Sequence, residues 1–128
     1  MMLQPYLKNV ETEGELTAVF IDGHFTHGVQ KIPVKGDYRV QDDFGATDKP
    51  YEFTSDELQT MQETLLAVPQ HAQLLYARFD YLRSDEGELL LNELELIEPS
   101  LFFRHCENSA IRLAEAILKR VWWFPWRE

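Results

Sequence analysis

The sequence predicts an α+β fold in which a mostly antiparallel sheet packs with two main helices. Two pairs of β-prone runs are each joined by a short turn, which is typical of antiparallel hairpins. One amphipathic stretch follows each pair, whereas a parallel sheet would alternate single strands with helices. The chain has 128 residues, 45% of them hydrophobic, which is enough for one packed core. We therefore expect residues 1–128 to form a single domain or subdomain.

The turn of the first hairpin is its clearest signal. Glu15–Ile21 and His24–Ile32 are rich in β-branched and aromatic residues, and Asp22-Gly23 separates them. Asp-Gly favours a type I′ turn because both central residues of that turn need positive φ. Before the hairpin, residues 3–7 predict a short edge strand, since Pro5 cannot donate a ladder hydrogen bond.

The two helices are predicted from local signals on either side of the second hairpin. Residues 33–53 show glycines, prolines and no hydrophobic period, so they predict a loop of roughly twenty residues. Thr54 then opens a helix, and Glu57 completes a capping box with it. A last helix is predicted from about Asn108 to Trp122. Its apolar stripe consists of Ile111, Ala114, Ile117, Leu118 and Val121.

The second hairpin is predicted to pair residues 73–83 with residues 88–97. If Glu86-Gly87 are the two central residues of its turn, Asp80 lies opposite Glu93, and Glu95 is on the same face. Facing carboxylates repel each other unless a cation lies between them, so a divalent metal site is one interpretation. A solvated acidic face is the other, and Arg78, opposite Glu95, would offset part of the repulsion.

The charge balance limits the partners of the chain. The sequence has 12 Lys and Arg residues and 22 Asp and Glu residues, which gives a net charge of −10. Such a surface repels phosphate backbones and anionic membranes, so we expect neither a nucleic-acid nor a membrane partner. A single cysteine, Cys106, excludes an internal disulfide, and no secretory signal is visible. A cytoplasmic location is therefore expected.

Six short motifs occur in a fixed order along residues 3–120. They are Gln4-Pro5-Tyr6-Leu7, the strand pair around Asp22-Gly23, Lys31-Ile32-Pro33, Gly36-Asp37-Tyr38-Arg39, Ala77-Arg78-Phe79-Asp80 and Glu93-Leu94-Glu95-Leu96-Ile97-Glu98-Pro99-Ser100. Their order resembles the C-terminal half of the ATP-grasp ligases, closest to the prokaryotic glutathione synthetase type. The resemblance implies an ATP-grasp C-terminal subdomain.

The resemblance also implies an activity and a metal site. In this family ATP phosphorylates a carboxylate to an acyl phosphate, an amine attacks it, and magnesium ions neutralise the phosphates. By the resemblance, Asp80 and Glu93 are metal ligands. Glu95 would be a third ligand, at a position where most members have asparagine. Carboxylate ligands suit Mg²⁺ or Mn²⁺.

The nucleotide contacts are likewise implied by the resemblance. Gln4, Tyr6 and Leu7 match the hinge whose backbone binds the adenine edge, and Glu15 matches the acidic residue that holds the ribose hydroxyls. Lys31 and Arg39 match basic positions near the phosphates and the acyl acceptor, so they are the candidate catalytic residues. The expected ligands are ATP, a small carboxylate and an amine.

A whole ligase of this family needs on the order of 300 residues. The sequence has no glycine-rich phosphate loop and no counterpart of the lysine from the preceding subdomain. We therefore expect a C-terminal fragment with little activity by itself. Two alternatives stay open: a non-catalytic acidic binding module that retains the scaffold, and an unrelated acidic interaction domain. The C-terminal aromatic residues either pack on the domain or mediate a homo-oligomer contact; they are Trp122, Trp123, Phe124 and Trp126.

Overall fold

The structure is a computed structural model that describes residues 1, 3–34 and 47–122. Five strands form one antiparallel sheet in the order β3-β2-β1-β4-β5, and the predicted α+β class is confirmed. The elements are α1 (Val10–Glu13), β1 (Glu15–Ile21), β2 (His24–Ile32), β3 (Thr47–Tyr51), α2 (Ser55–Ala67), β4 (Tyr76–Arg83), β5 (Leu89–Glu95) and α3 (Glu107–Trp122), with short 3₁₀ turns at His71–Gln73 and Phe103–His105. In these described residues no helix is long and apolar enough to cross a bilayer.

The two main helices cover opposite faces of the sheet. Met61 and Leu65 of α2 pack on Phe20 and Phe79 in the larger core. Ala116 of α3 packs on the other face. Side chains alternate along a strand, so neighbouring residues of β1 contribute to different layers. The predicted capping box of α2 is present.

The first hairpin is confirmed, with positive φ at Asp22 (50°) and Gly23 (79°). The predicted edge strand over residues 3–7 is wrong, because this segment has no strand pairing and leads into helix α1. The predicted loop over residues 33–53 is wrong at its end, where β3 pairs with β2. Pro50 argued against a strand in the sequence. An edge strand such as β3 tolerates proline, because one of its sides forms no ladder hydrogen bonds.

The turn of the second hairpin differs from the predicted two-residue turn. Ser84 N–H donates to the Glu88 carbonyl at 2.9 Å, and Arg83 pairs with Leu89, so the connection is longer. The pairing then shifts by one residue between Asp80 and Tyr81, and Asn92 on β5 is left as a bulge. This bulge restores the predicted pair of Asp80 and Glu93.

The apolar stripe predicted on α3 lies on the solvent side of the helix. Ile111, Leu118 and Val121 are more than half exposed, while Ser109 and Ala116 are buried, Ala116 in the cluster on the sheet. Small residues allow the helix to approach the strands closely. Arg120 fixes this orientation, because its guanidinium donates to Asp22 at 2.8 Å and to the Leu74 carbonyl at 3.0 Å. The aromatic residues Trp123, Phe124 and Trp126 lie outside the described residues.

Gly14→Ala should destabilise the protein far more than Gly23→Ala. Both glycines have positive φ, 69° and 79°, so either substitution carries a backbone cost of about 1–2 kcal/mol. A Cβ at Gly14 would lie 1.8 Å from the Lys31 carbonyl oxygen, whereas a Cβ at Gly23 would meet nothing within 4 Å. In urea unfolding we expect Gly14→Ala to lose a further 1–3 kcal/mol or so from overpacking. Equal losses would contradict the close approach.

The free energy of unfolding should fall as the pH drops below 6.5, and His27→Gln should reduce this fall. Burial lowers the pKa of His27 below its usual 6.5, although hydrogen bonds to backbone carbonyls partly oppose this. Below pH 6.5 His27 therefore binds a proton in the unfolded chain but stays neutral in the folded chain. The free energy of unfolding that is present above pH 6.5 is thus lost on acidification. Urea unfolding between pH 7.5 and 5 measures this slope. An unchanged slope in the variant would assign it to other groups.

Candidate functional site

Polar side chains line one end of the sheet on the α3 face. They come from the four strands β2, β1, β4 and β5, and alternation places them on the same face as the apolar residues under α3. The set, called the polar strip below, comprises Glu15, Thr17, Lys31, Arg78, Asp80, Glu93 and Glu95. Several of its members are buried and charged, which is costly unless they are paired.

Asp80 is the centre of the polar strip and is fully buried, with 0% of its surface exposed. The Thr17 hydroxyl donates to Asp80 Oδ1 at 2.6 Å. Arg78 donates to Asp80 Oδ2 from Nη2 at 2.8 Å and from Nε at 3.2 Å, and Lys31 Nζ lies 3.5 Å from the same oxygen. A hydroxyl and two cations thus compensate the burial of this carboxylate.

Glu15 connects Lys31 on β2 to Asn92, the bulge residue of β5. Its carboxylate forms an ion pair with Lys31 through Oε2, and Asn92 Nδ2 donates to Oε1 at 2.8 Å. Burial raises the pKa of Glu15, and repulsion from Asp80 raises it further, while Lys31 partly opposes both. The side chain is therefore held tightly on both oxygens.

Arg78 joins the strip to the segment after β5. Its guanidinium contacts Asp80 and Glu95, donates to the Ser100 carbonyl at 3.4 Å and lies 5.9 Å from the centre of the Phe102 ring. Burial alone would lower the pKa of Arg78, but the carboxylates of Asp80, Glu95 and Glu15 outweigh it and raise the pKa. Arg78 is therefore a permanent cation within the site.

The three predicted metal ligands occupy different environments. Asp80 and Glu93 lie opposite each other as predicted, but Asp80 is buried and Glu93 is exposed. Glu95 is engaged with Arg78. Within residues 1, 3–34 and 47–122, no group of three or more His, Cys, Asp or Glu side chains is placed to share a metal ion. A metal ion held by these described residues would thus need further ligands, from water, from a substrate or from the rest of the chain.

A groove lies beside the polar strip, under the N-terminal segment. It encloses about 270 Å³ and is lined by Gln4, Pro5, Tyr6, Leu7, Val10, Glu15, Leu82 and Asn92. A second, smaller depression adjoins it, with Leu90 and Leu91 in its wall. The structure thus brings together the four residues that the resemblance assigns to nucleotide binding. Arg39, the second candidate catalytic residue, lies outside the described residues.

Two members of this constellation could not be found from the sequence. Thr17 reaches Asp80 because β1 pairs with β4, and the two residues are 63 positions apart in the chain. Asn92 reaches Glu15 because of the bulge, which no local pattern indicates. Strand order would have identified Thr17, since it is the direct cross-strand neighbour of Asp80.

The chain is similar to known proteins both in sequence and in structure. No protein-family model matches the chain. The chain is 30% identical over 129 residues to the cycloserine biosynthesis protein DcsG of Streptomyces lavendulae, covering 94% of this chain and 42% of DcsG. The crystal structure of the D-cycloserine synthetase DcsG matches with a TM-score of 0.75 and 28% identity, over 91% of this chain and 41% of that one.

Two further solved structures share the fold. D-alanine–D-alanine ligase from Bacillus anthracis, complexed with ATP, matches with a TM-score of 0.56 and 18% identity, over 82% of this chain and 36% of that one. The ATP-grasp ligase PsnB, complexed with a minimal precursor, matches with a TM-score of 0.52 and 14% identity, over 80% and 35%. The chain thus spans less than half the length of each protein that it matches here.

Asp80→Asn should lower the free energy of unfolding by about 3–5 kcal/mol in metal-free buffer. The amide keeps the shape of the side chain but leaves Arg78 and Lys31 without their shared buried counter-charge. Glu95→Gln is the matched control, because Glu95 is partly exposed and Arg78 would keep Asp80. It should cost less than about 1 kcal/mol. Similar losses in urea unfolding would contradict the central role of Asp80.

Proposed function

Because this chain has the fold of the C-terminal subdomain of the ATP-grasp ligases, we propose that it forms part of an ATP-dependent carboxylate–amine ligase. In this proposal it supplies the metal-binding carboxylates and half of the ATP pocket. One observation carries the proposal: Glu15 belongs both to the wall of the groove and to the polar strip. A place for a base and sugar therefore adjoins a place for charged phosphates.

The groove suits the uncharged half of a nucleotide. Residues 3–6 form neither helix nor strand, so sheet pairing does not use their backbone groups. The resemblance assigns such groups at Gln4, Tyr6 and Leu7 to the adenine edge. Leu82 adds an apolar wall, and Glu15 lies at the polar end, where it would accept hydrogen bonds from ribose hydroxyls.

The polar strip suits the metal and the phosphates. Mg²⁺ usually binds through one or two carboxylates and completes its shell with water and substrate phosphates, so Asp80 and Glu93 would suffice as a donor pair. Asp80 would have to exchange one of its contacts to Thr17, Arg78 or Lys31 for the ion. Exposed Glu93 is free to turn toward a bound ion, whereas Glu95 would first have to leave Arg78. A bound ion would neutralise charge on the phosphates during transfer.

The proposal assigns the cation Lys31 of the polar strip to phosphate binding. Lys31 is buried between Glu15 and Asp80, close to the point where a phosphate would leave the groove. We assign it to phosphate binding, together with Arg39 from outside the described residues. The substrates in this proposal are a small carboxylate, which ATP activates, and an amine that attacks it.

Glu93→Gln should weaken divalent-ion binding in the presence of ATP by roughly tenfold or more, because it removes one charged ligand of a site that has few. Mn²⁺ titration by calorimetry, with ATP at fixed concentration, measures this. Glu98→Gln is the control: Glu98 is exposed, has the same chemistry and lies beyond the end of β5.

Equal effects of the two substitutions would contradict the metal site. That outcome would favour the alternative, a non-catalytic binding module, which one observation supports. Thr17, Arg78 and Lys31 already surround both oxygens of Asp80, so its carboxylate is compensated without a metal ion.

A further inference from the structure

Asn92 occupies an unusual position in the sheet. On β5, Leu91 pairs with Tyr81 and Glu93 pairs with Asp80, so Asn92 between them has no partner on β4. A bulge residue of this kind leaves the regular alternation of the strand and turns its side chain in a new direction. Here the side chain of Asn92 lines the groove beside Glu15.

The side chain of Asn92 contacts Glu15, to which the proposed function assigns the ribose hydroxyls. Its Nδ2 donates to Glu15 Oε1 at 2.8 Å, across 77 positions of sequence. Only the amide nitrogen can donate to a carboxylate, so this contact also fixes which way the amide faces. Lys31 holds the other oxygen of Glu15. The carboxylate is therefore held from two sides, by an ammonium in the polar strip and an amide in the groove wall.

We propose that Asn92 is a positioning residue, which holds the Glu15 carboxylate at the polar end of the groove so that it selects ligands with free ribose hydroxyls. The ligand class is a ribonucleoside triphosphate, and the inference rests on the proposed function. Lys31 alone would draw Glu15 toward Asp80 and away from the groove, since both carboxylates share this ammonium. The Asn92 amide opposes that pull with a hydrogen bond to a charged group.

The test compares two nucleotides on four forms of the chain. ATP and 2′,3′-dideoxy-ATP differ only in the hydroxyls that Glu15 would bind, and ¹H–¹⁵N NMR titration measures even millimolar affinities for a chain of this size. The four forms are the wild type, Asn92→Leu, Glu15→Gln and Leu91→Ala. Leucine is close to asparagine in size but cannot donate. Leu91 lines the adjoining depression and makes no hydrogen bond to Glu15 through its apolar side chain.

The expected result is a change in selectivity rather than in affinity alone. The wild type should bind ATP roughly tenfold more tightly than the dideoxy analogue, the usual effect of hydrogen bonds to a charged group. Asn92→Leu and Glu15→Gln should bring the two affinities to within about threefold of each other. Leu91→Ala should weaken both nucleotides equally and leave their ratio unchanged.

Three results would overturn the inference. If Asn92→Leu weakens both nucleotides equally, its role is only structural, and the proposed function stands. If the wild type binds ATP but does not distinguish the analogue, Glu15 does not bind the hydroxyls, and positioning it has no purpose. If the wild type does not bind ATP at 10 mM or so, the proposed nucleotide half fails together with the inference.

Discussion

The buried carboxylate of Asp80 connects the central strands of the sheet, and the rest of the site depends on it. Its two oxygens are contacted by polar groups of Thr17 on β1, Lys31 on β2 and Arg78 on β4. Arg78 also forms an ion pair with Glu95 on β5. Each of these side chains would be costly to bury alone, and together they satisfy one another. The polar end of the sheet is therefore held by paired charges, whereas the apolar end is held by packing. The site and the fold share the same interactions.

Much of the fold could be predicted because the signals are local. The Asp22-Gly23 turn and the capping box of Thr54 and Glu57 each involve residues within a few positions of one another, and both are present. The order of strands depends on contacts between distant residues, so the pairing of β1 with β4 could not be predicted from single segments. Helical periodicity showed that α3 is amphipathic but not which side meets the sheet. The buried positions of the helix carry small Ser109 and Ala116, whereas the larger apolar residues are exposed.

The register of the second hairpin was predicted correctly for the wrong reason. The turn is longer than the two residues assumed, which by itself would place Asn92 opposite Asp80. The bulge at Asn92 compensates for that shift, so Glu93 takes this place. Of the candidate site, the facing carboxylates and the groove residues could be named in advance, the latter only through the family resemblance. Thr17 and the contact between Asn92 and Glu15 could not, because they need the three-dimensional path of the chain.

Gly14 has a consequence that extends beyond its own conformation. Because it lacks a side chain, helix α1 approaches the backbone of β2, and the Gln30 side chain also donates to the Glu13 carbonyl at 2.7 Å. The close approach of α1 to β2 is thus a contact of main chain with main chain. In the proposed function, substitutions along residues 4–7 would then alter which base fits and leave this main-chain contact unchanged. The recognition of a ligand and the placement of its reacting end would, on that proposal, change independently during evolution.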